Sequence, residues 1–260
     1  FNKITEQKII IEEKQKEMID SINYAKLIQN TLLASKSTLE TNLKDYFILF
    51  KPKDIVSGDF YWATKKDDCF YLACCDSTGH GVPGAFMSLL NIGFITEAIK
   101  EKNILEPGNI FNYVRQRLIE TIGNEGQKDG FDGILIKINA TKQLSYVAAN
   151  NNPILISDGI LTHLPHDKMP VGKGEKEALF TTHQITYKQG DSIYLYTDGY
   201  PDQFGGPKDK KLKYKQLESL LLENSNLNTS SQKEKLNVHF ENWKGNLEQV
   251  DDVCIIGISF

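Results

Sequence analysis

A seven-residue apolar repeat runs through residues 1 to about 34. Its members lie among Lys, Glu and Gln and are Ile4, Ile11, Met18, Ala25 and Leu32. Apolar residues spaced by seven on a charged helix are typical of a coiled-coil seam. Other heptad positions hold weak core residues such as Gln7 and Lys14, so a helix that simply covers its own domain remains an alternative. In the coiled-coil interpretation, the partner is a second copy of this chain.

From Tyr46 onward the pattern changes to short segments rich in Val, Ile, Tyr and Phe. Such segments, bounded by turn residues, predict strands at 46–50, 59–64, 69–75, 131–138, 143–149, 153–157, 192–197 and 253–259. Amphipathic spacing predicts helices at about 83–102, 107–122, 214–223 and 231–243. We therefore expect an α+β fold, an antiparallel β-sandwich flanked by helices on both faces. Residues 1–44 would form an N-terminal helical connector, and residues 45–260 the folded domain.

Composition narrows the class of protein. The chain has 260 residues and a net charge of −4, which gives no reason to expect nucleic acid or an anionic membrane as a partner. Its apolar runs are shorter than the roughly 20 residues that span a bilayer. The spacing of Cys69, Cys74, Cys75 and Cys254 fits no zinc site, so we expect buried, reduced thiols and a cytoplasmic location.

The chain begins with Phe1 rather than Met. We therefore expect it to be part of a longer polypeptide that carries an upstream domain. That absent region could anchor the whole protein in a membrane.

Four aspartates stand at the edges of strand-like runs: Asp59, Asp76, Asp198 and Asp251. Taken singly, Asp59, Asp198 and Asp251 would pass as turn or loop residues. Taken together, such widely spaced carboxylates can converge only through the fold. Hard oxygen ligands without Cys or His partners favour Mg²⁺ or Mn²⁺. The pattern indicates a hydrolytic site with two metal ions.

The surroundings of Asp76 add detail. Gly79-His80-Gly81 turns the chain into a predicted helix near Pro83, and a helix N-terminus suits a phosphate. His80 could donate a proton to a leaving group or could hold the turn, and the second role is favoured. Lys53 could touch a substrate phosphate, although a solvated surface lysine is the favoured interpretation.

These motifs carry a family resemblance. The matching residues are Val56-Ser57-Gly58-Asp59-Phe60-Tyr61, Asp76-Ser77-Thr78-Gly79-His80-Gly81-Val82-Pro83-Gly84-Ala85, Tyr196-Thr197-Asp198-Gly199 and Asp251-Asp252-Val253. Over about residues 45–260 the chain resembles bacterial serine/threonine phosphatases of the PPM superfamily, which are related to phosphatase 2C. Within it, the SpoIIE-like and RsbU-like branch is the most similar. Residues from Ser21 to Gln29 also resemble the connector that joins such domains to upstream sensors.

The resemblance implies two Mn²⁺ or Mg²⁺ ions and a role for each motif. Asp76 would bridge both ions, the Ser77 carbonyl and Asp59 would serve the second, and Asp198 and Asp251 would complete the first. Asp251 is preferred to Asp252 because it occupies the first position of the final acidic pair. Asp252, Gly79, His80 and Lys53 would support the site or the substrate.

The same resemblance implies that a metal-bridging hydroxide attacks phosphoserine or phosphothreonine. No side-chain nucleophile is then needed. One departure concerns Trp62, which stands where many relatives carry an acidic residue, so a water-mediated contact to the second metal is in question.

The expected partners are a phosphoprotein of the anti-sigma-antagonist type, an upstream sensor domain in the same polypeptide and a second copy bound through the N-terminal helix. Two alternatives remain. One is a non-catalytic dimeric signalling module with a phosphatase-like fold, and the other is a hydrolase of small phosphate esters.

Overall fold

The computed structural model describes residues 2–123, 129–139, 141, 143–176 and 178–260. Its helices are α1 (Asn2–Leu32), α2 (Lys36–Asn42), α3 (Gly81–Thr96), α4 (Pro107–Ile122), α5 (Gly199–Asp202), α6 (Tyr214–Asn224) and α7 (Thr229–Lys244). A π-helical turn (Glu97–Glu101) extends α3. The strands are β1 (Asp45–Lys51), β2 (Asp59–Lys66), β3 (Cys69–Ser77), β4 (Gly130–Asn139), β5 (Leu144–Ala149), β6 (Ile154–Ser157), β7 (Ile160–His163), β8 (Val171–Gly172), β9 (His183–Ile185), β10 (Ser192–Tyr196), β11 (Phe204–Gly205), β12 (Lys210–Lys211) and β13 (Val253–Ser259).

The strands form two antiparallel sheets and a small ribbon. The first sheet has the order β1-β13-β10-β6-β7. The second sheet has the order β2-β3-β4-β5-β9, with β8 paired to β4. The ribbon pairs β11 with β12. Since β2 and β3 come from one part of the sequence and β10 and β13 from its end, distant motifs meet where the two sheets stack.

Strand β3 shows how the sheets build the core. Its residues Leu72 and Cys74 pack between the two sheets, whereas Tyr71, Ala73 and Cys75 pack beneath α3 and α4. Successive side chains of a strand point to opposite faces, so a strand buried on both faces is apolar throughout. On the outer face of the other sheet, Ile255 and Tyr194 pack against α6 and α7. The predicted α+β sandwich with helices on both faces is confirmed.

Several elements differ from the sequence-based expectation. Beyond the repeat predicted for residues 1 to about 34, residues 36–42 form a separate helix, α2, because Ser35 caps it by accepting a hydrogen bond of 3.2 Å from the Thr38 amide. The strands β7, β8 and β9 were not predicted, because two to four residues are too few to show an alternating pattern. Cys69 is half-buried at the start of β3, whereas the other three cysteines are buried, and all four are free thiols.

One continuous helical segment, Gly81–Glu101, is long and apolar enough to cross a membrane by length and composition, unlike the runs expected from sequence. Half of its most apolar window is buried within the protein. Ile95, Ala98 and Ile99 of this segment are fully buried in the core beneath the second sheet. Packing against the sandwich therefore accounts for the apolar character of this helix.

Helix α1 projects from the domain. Residues 3–21 are exposed along their whole length, and at 1.5 Å per residue they extend roughly 28 Å. Only its C-terminal third packs on the domain, through Ile22, Ala25 and Gln29, followed by Leu33 just after the helix. Ile11 and Met18 of the heptad stripe are each 64% exposed. The N-terminal part of the stripe, Ile4, Ile11 and Met18, thus lies on a surface that the domain itself does not cover, whereas Ala25 faces the domain.

Candidate active site

Three adjacent strands place three aspartates side by side. Asp59 of β2 is the register partner of Asp76 in β3, and Asp76 is the register partner of Asp132 in β4. Directly opposed residues of antiparallel strands project to the same face. Here that face is the one that carries Cys74 and Ile134 toward the other sheet. The second sheet therefore presents a row of carboxylates at one end of the sandwich.

The first sheet contributes from the opposite side. Thr197, directly after β10, donates a hydrogen bond of 2.6 Å from its hydroxyl to Asp59 Oδ2 and accepts one of 2.9 Å from the Cys254 amide. Asp198 follows Thr197, and Asp251 lies two residues before β13. The fold thus brings the four motifs of the sequence to one end of the sandwich.

A cleft of about 230 Å³ opens at this end. It is lined by Asp76, Ser77, Thr78, Gly79, His80, Phe131, Asp132, Pro170 and Asp251. Asp59 lies deeper and is only 2% exposed. The cleft therefore combines an acidic floor with the turn that leads into α3.

Burial and mutual repulsion set the protonation of these groups. Burial, and then the charge of Asp76, raise the pKa of Asp59 well above its usual range. Burial also raises the pKa of Asp76, with further contributions from Asp198 and Asp251. The pKa of Asp198 is raised to about 6, first by burial and then by Asp251. Burial raises the pKa of Asp132 as well, against a hydrogen bond from Asn150 that lowers it.

Lys211 lowers the pKa of Asp198, but its ammonium pairs with Asp202 rather than with the cluster. Within the described residues, none of these carboxylates forms an ion pair with Lys or Arg. Buried charges are ordinarily paired or coordinate metals. The cluster therefore favours bound protons or cations.

The two final aspartates have different positions. The carboxylate of Asp252 accepts hydrogen bonds from the amides of Lys53, at 2.7 Å, and Gly58, at 2.8 Å. It therefore fixes the loop that leads into Asp59. Asp251 lines the cleft, and its Oδ1 accepts a hydrogen bond of 2.8 Å from the Asp252 amide. Asp251 is thus placed to face a ligand, and Asp252 is placed to support the loop.

Three glycines allow the backbone segments of the site to cross closely. A Cβ added to Gly58 would lie 2.3 Å from the Gly79 carbonyl oxygen, and one added to Gly84 would lie 2.2 Å from the same atom. Gly79 itself has a φ of +85°, which disfavours other residues. The Gly79 turn is therefore wedged between the Asp59 loop and the first turn of α3.

His80 lines the cleft, and Lys53 lies beside it. The His80 Nδ1 atom lies 3.1 Å from Asp54 Oδ2, and Lys53 Nζ lies 3.5 Å from His80 Nε2. His80 directly precedes α3 and makes no side-chain capping bond to it. Its orientation is therefore set by Asp54 rather than by bonds to the turn.

Asp132 was missed by the sequence-based reasoning. It lies inside the strand predicted at 131–138, where a charged residue among apolar neighbours is costly unless it is paired or functional. The charged residue within an apolar strand could be recognised from the sequence, but the pairing of Asp132 with Asp76 in the sheet could not. Trp62, in contrast, faces away from Asp59 and is buried with Phe60 beneath α3. The Trp62 position therefore contributes packing rather than a carboxylate.

The donor set fits hard divalent cations. The aspartates of the cleft offer carboxylate oxygens, and the one His in its lining, His80, has its Nδ1 3.1 Å from Asp54. In the parts of the chain that the structure describes, no three acidic, His or Cys side chains converge as a closed set of metal ligands. Carboxylates repel one another when ionised, and a bound cation would offset that repulsion.

Comparisons with known proteins identify the family and the fold. The SpoIIE family (Stage II sporulation protein E) matches residues 66–260. The SiaA-PP2C domain of Pseudomonas aeruginosa has a similar structure, with a TM-score of 0.86 at 28% identity over 95% of this chain and 98% of that one. The PP2C phosphatase domain of SpoIIE from Bacillus subtilis, solved with a regulatory fragment, gives a TM-score of 0.68 at 14% identity over 83% of this chain and 63% of that one.

A third structure, RsbX in complex with magnesium, gives a TM-score of 0.54 at 18% identity over 83% of this chain and 94% of that one. At such identities, the SpoIIE and RsbX structures bear on the fold alone. No curated protein matches the sequence significantly.

Proposed function

This chain belongs to the SpoIIE family of PPM-type phosphatase domains, and we propose that it is a metal-dependent phosphatase of phosphoserine and phosphothreonine in proteins. The observation that carries the proposal is the row of register-matched aspartates, Asp59, Asp76 and Asp132, with Asp198 and Asp251 close enough for their charges to raise the pKa of Asp76. Buried and half-buried carboxylates that form no ion pair with Lys or Arg among the described residues are suited to holding divalent cations.

Two Mn²⁺ or Mg²⁺ ions would be held here. Asp76 would serve both ions, Asp59 and the Ser77 carbonyl one of them, and Asp198 and Asp251 the other. When bound, such ions supply an activated water and neutralise the charge of a phosphoryl group. The central position of Asp76, between its register partners Asp59 and Asp132, supports its shared role.

The chain's own residues orient these groups. Thr197 fixes one oxygen of Asp59, and Asp252 fixes the Gly58 amide just before it. His80, whose Nδ1 faces Asp54, presents its ring at the mouth of the cleft, where a leaving serine oxygen would emerge. We assign to His80 the delivery of a proton to that oxygen, a role that sequence reasoning had ranked second; it requires that a protonated Nε2 turn from Lys53 Nζ, now 3.5 Å away, to the substrate.

The family resemblance suggests a substrate class and an upstream regulator. We propose a small phosphoprotein of the anti-sigma-antagonist type as substrate, in the cytoplasm, and a sensor domain in the same polypeptide as regulator. Helix α1 would carry the signal, since its exposed stripe of Ile4, Ile11 and Met18 suits pairing with a second copy. This proposal keeps residues 1–44 as a connector and residues 45–260 as the phosphatase.

The test is hydrolysis of a phosphoserine peptide with Mn²⁺, with Mg²⁺ and with EDTA. Hydrolysis that requires a divalent cation and is lost in Asp76→Asn supports the proposal. Mn²⁺ binding and dimerisation without hydrolysis of any phosphopeptide would favour a non-catalytic module. Equal rates on small aryl phosphates and on phosphorylated proteins would favour a small-ester hydrolase.

A further inference from the structure

Gln29 is the buried polar residue through which α1 meets the loop before Asp59. It is 3% exposed, on a helix whose residues 3–21 are exposed throughout. Its Nε2 donates to the Ser57 carbonyl oxygen at 2.6 Å, and its Oε1 accepts from the Ser57 amide at 3.1 Å. The Gln29 side chain thus pairs with both main-chain polar groups of Ser57.

A third bond completes the contact. The Gln29 Nε2 atom also donates to Ser88 Oγ of α3 at 2.8 Å. Because burial of an amide is costly without hydrogen bonds, a glutamine that uses its oxygen and both of its N–H groups is held in one geometry. Gln29 therefore ties α1, the Ser57 loop and α3 together at a single point.

The loop that Gln29 holds is the one that positions Asp59. The Gly58 amide donates to Asp252, and the Gly58 carbonyl oxygen accepts from the Ser77 amide at 3.3 Å. The Ser57–Gly58 segment is thus fixed by α1, by the acidic pair before β13 and by the end of β3. Since Asp59 follows directly, a shift of Ser57 moves the carboxylate that pairs in register with Asp76.

Just beyond its last residue, α1 is anchored to the same strand. The Ala34 amide donates to the Tyr61 carbonyl oxygen of β2 at 3.3 Å, and Leu33 packs in the core beneath α3. Helix α1 and the residues directly after it therefore contact the chain on both sides of Asp59, at Ser57 and at Tyr61. A displacement of α1 cannot leave both contacts intact.

We propose that Gln29 is a positioning residue of the metal site, and that it transmits the position of α1 to Asp59. This inference rests on the proposed function, because it assumes that Asp59 binds a cation. Loss of the Gln29 bonds loosens the Ser57 loop and weakens cation binding, while the core of the domain stays folded.

The test compares Gln29→Met with Gln216→Met. Methionine has nearly the length of glutamine but cannot make the bonds to Ser57. Gln216 is an exposed residue of α6, so its substitution is a matched control. Mn²⁺ affinity is measured by calorimetry, the melting temperature without metal reports the fold, and kcat is measured over a Mn²⁺ series. Supporting residues of metal sites typically contribute 10–100-fold to affinity.

We expect Gln29→Met to lose roughly 10–100-fold in Mn²⁺ affinity, with kcat recovering at saturating Mn²⁺, and Gln216→Met to match the parent. Parental affinity in Gln29→Met would overturn the inference and leave the proposed function standing. An unsubstituted chain that binds no Mn²⁺ would overturn both.

Two further measurements cover the case in which Gln29→Met does not fold. Gln29→Glu keeps the side-chain shape but cannot donate to the Ser57 carbonyl, so it too should lose affinity. In the unsubstituted protein, the Ser57 amide should be protected from hydrogen exchange. Parental Mn²⁺ affinity in Gln29→Glu, or exchange of the Ser57 amide at the rate of an exposed loop, would overturn the inference.

Discussion

The hydroxyl of Thr197 lies 2.6 Å from Oδ2 of Asp59 and joins the two sheets at the acidic end of the sandwich. Both residues are buried. Because the same hydroxyl accepts a hydrogen bond from the Cys254 amide, its direction is fixed. Asp59 is thereby oriented before any cation binds.

Replacement of Thr197 by Val should destabilise the protein. Valine keeps the shape but removes the donor to a buried carboxylate, a loss that costs about 1–3 kcal/mol. Urea unfolding without metal measures the change in the free energy of unfolding. Thr162→Val, at an exposed position of β7, is the matched control and should change stability by less. Equal stability of Thr197→Val and the parent would show that this bond does not orient Asp59.

Asp132 should contribute to cation binding. Asn is isosteric with Asp and can still accept the hydrogen bond that Asn150 donates at 2.8 Å, so Asp132→Asn should fold normally. It removes one carboxylate from the cleft and should lower Mn²⁺ affinity by roughly 10-fold or more. Calorimetric titration measures this, with the exposed Asp68→Asn as a charge-matched control. If both variants bind Mn²⁺ as the parent does, Asp132 only shapes the cleft.

The stability of the metal-free protein should fall as pH rises. The pKa of Asp198 is about 6 in the folded protein, above the ordinary value of about 3.9 in the unfolded chain. Between these values the folded state holds more protons, so stability is fully present below about pH 4 and is lost as pH rises through about 6. The buried Asp59 and Asp76 shift in the same direction.

Melting temperatures in EDTA should therefore decrease from pH 5 to pH 7.5, and added Mn²⁺ should stabilise the protein more at pH 7.5. Asp198→Asn should flatten this dependence. A melting temperature in EDTA that rises steadily over this range, in the parent and in Asp198→Asn alike, would contradict the assignment.

Helix α1 should pair with a second copy through its exposed stripe. Ile11→Glu and Met18→Glu each place a charge in the seam and should shift the protein toward monomer, because a charge at a core position of a coiled coil must be desolvated. Sedimentation equilibrium measures the dimer fraction. Asn23→Glu adds the same charge outside the repeat and should leave the fraction unchanged. A parent that is monomeric at all concentrations would exclude this pairing.

The sequence pattern was sufficient for the large elements. Helix α4 was predicted with its observed bounds, because Ile110, Val114 and Leu118 mark one face. Strand β3 was predicted because an apolar run that ends in Asp76 is typical of a doubly buried strand. Short elements such as α2 were not predicted, because a cap and packing stabilise them and they are too short to show a periodic pattern.

The candidate site was predictable only in part. Asp59, Asp76, Asp198 and Asp251 could be selected because each stands at the edge of an apolar run. The contribution of Asp132 depends on strand register, and that of Gln29 depends on which face of α1 meets the domain. Neither relationship can be predicted from the local sequence, since both arise from tertiary packing.

The most direct test of the proposed chemistry is a titration in which Mn²⁺ binding and phosphoserine-peptide hydrolysis are followed in the same samples. We expect two Mn²⁺ ions per chain, with hydrolysis rising as they bind and both signals sharply reduced in Asp76→Asn. Hydrolysis at the full rate in EDTA, or a chain that binds no Mn²⁺ at all, would contradict a metal-dependent phosphatase.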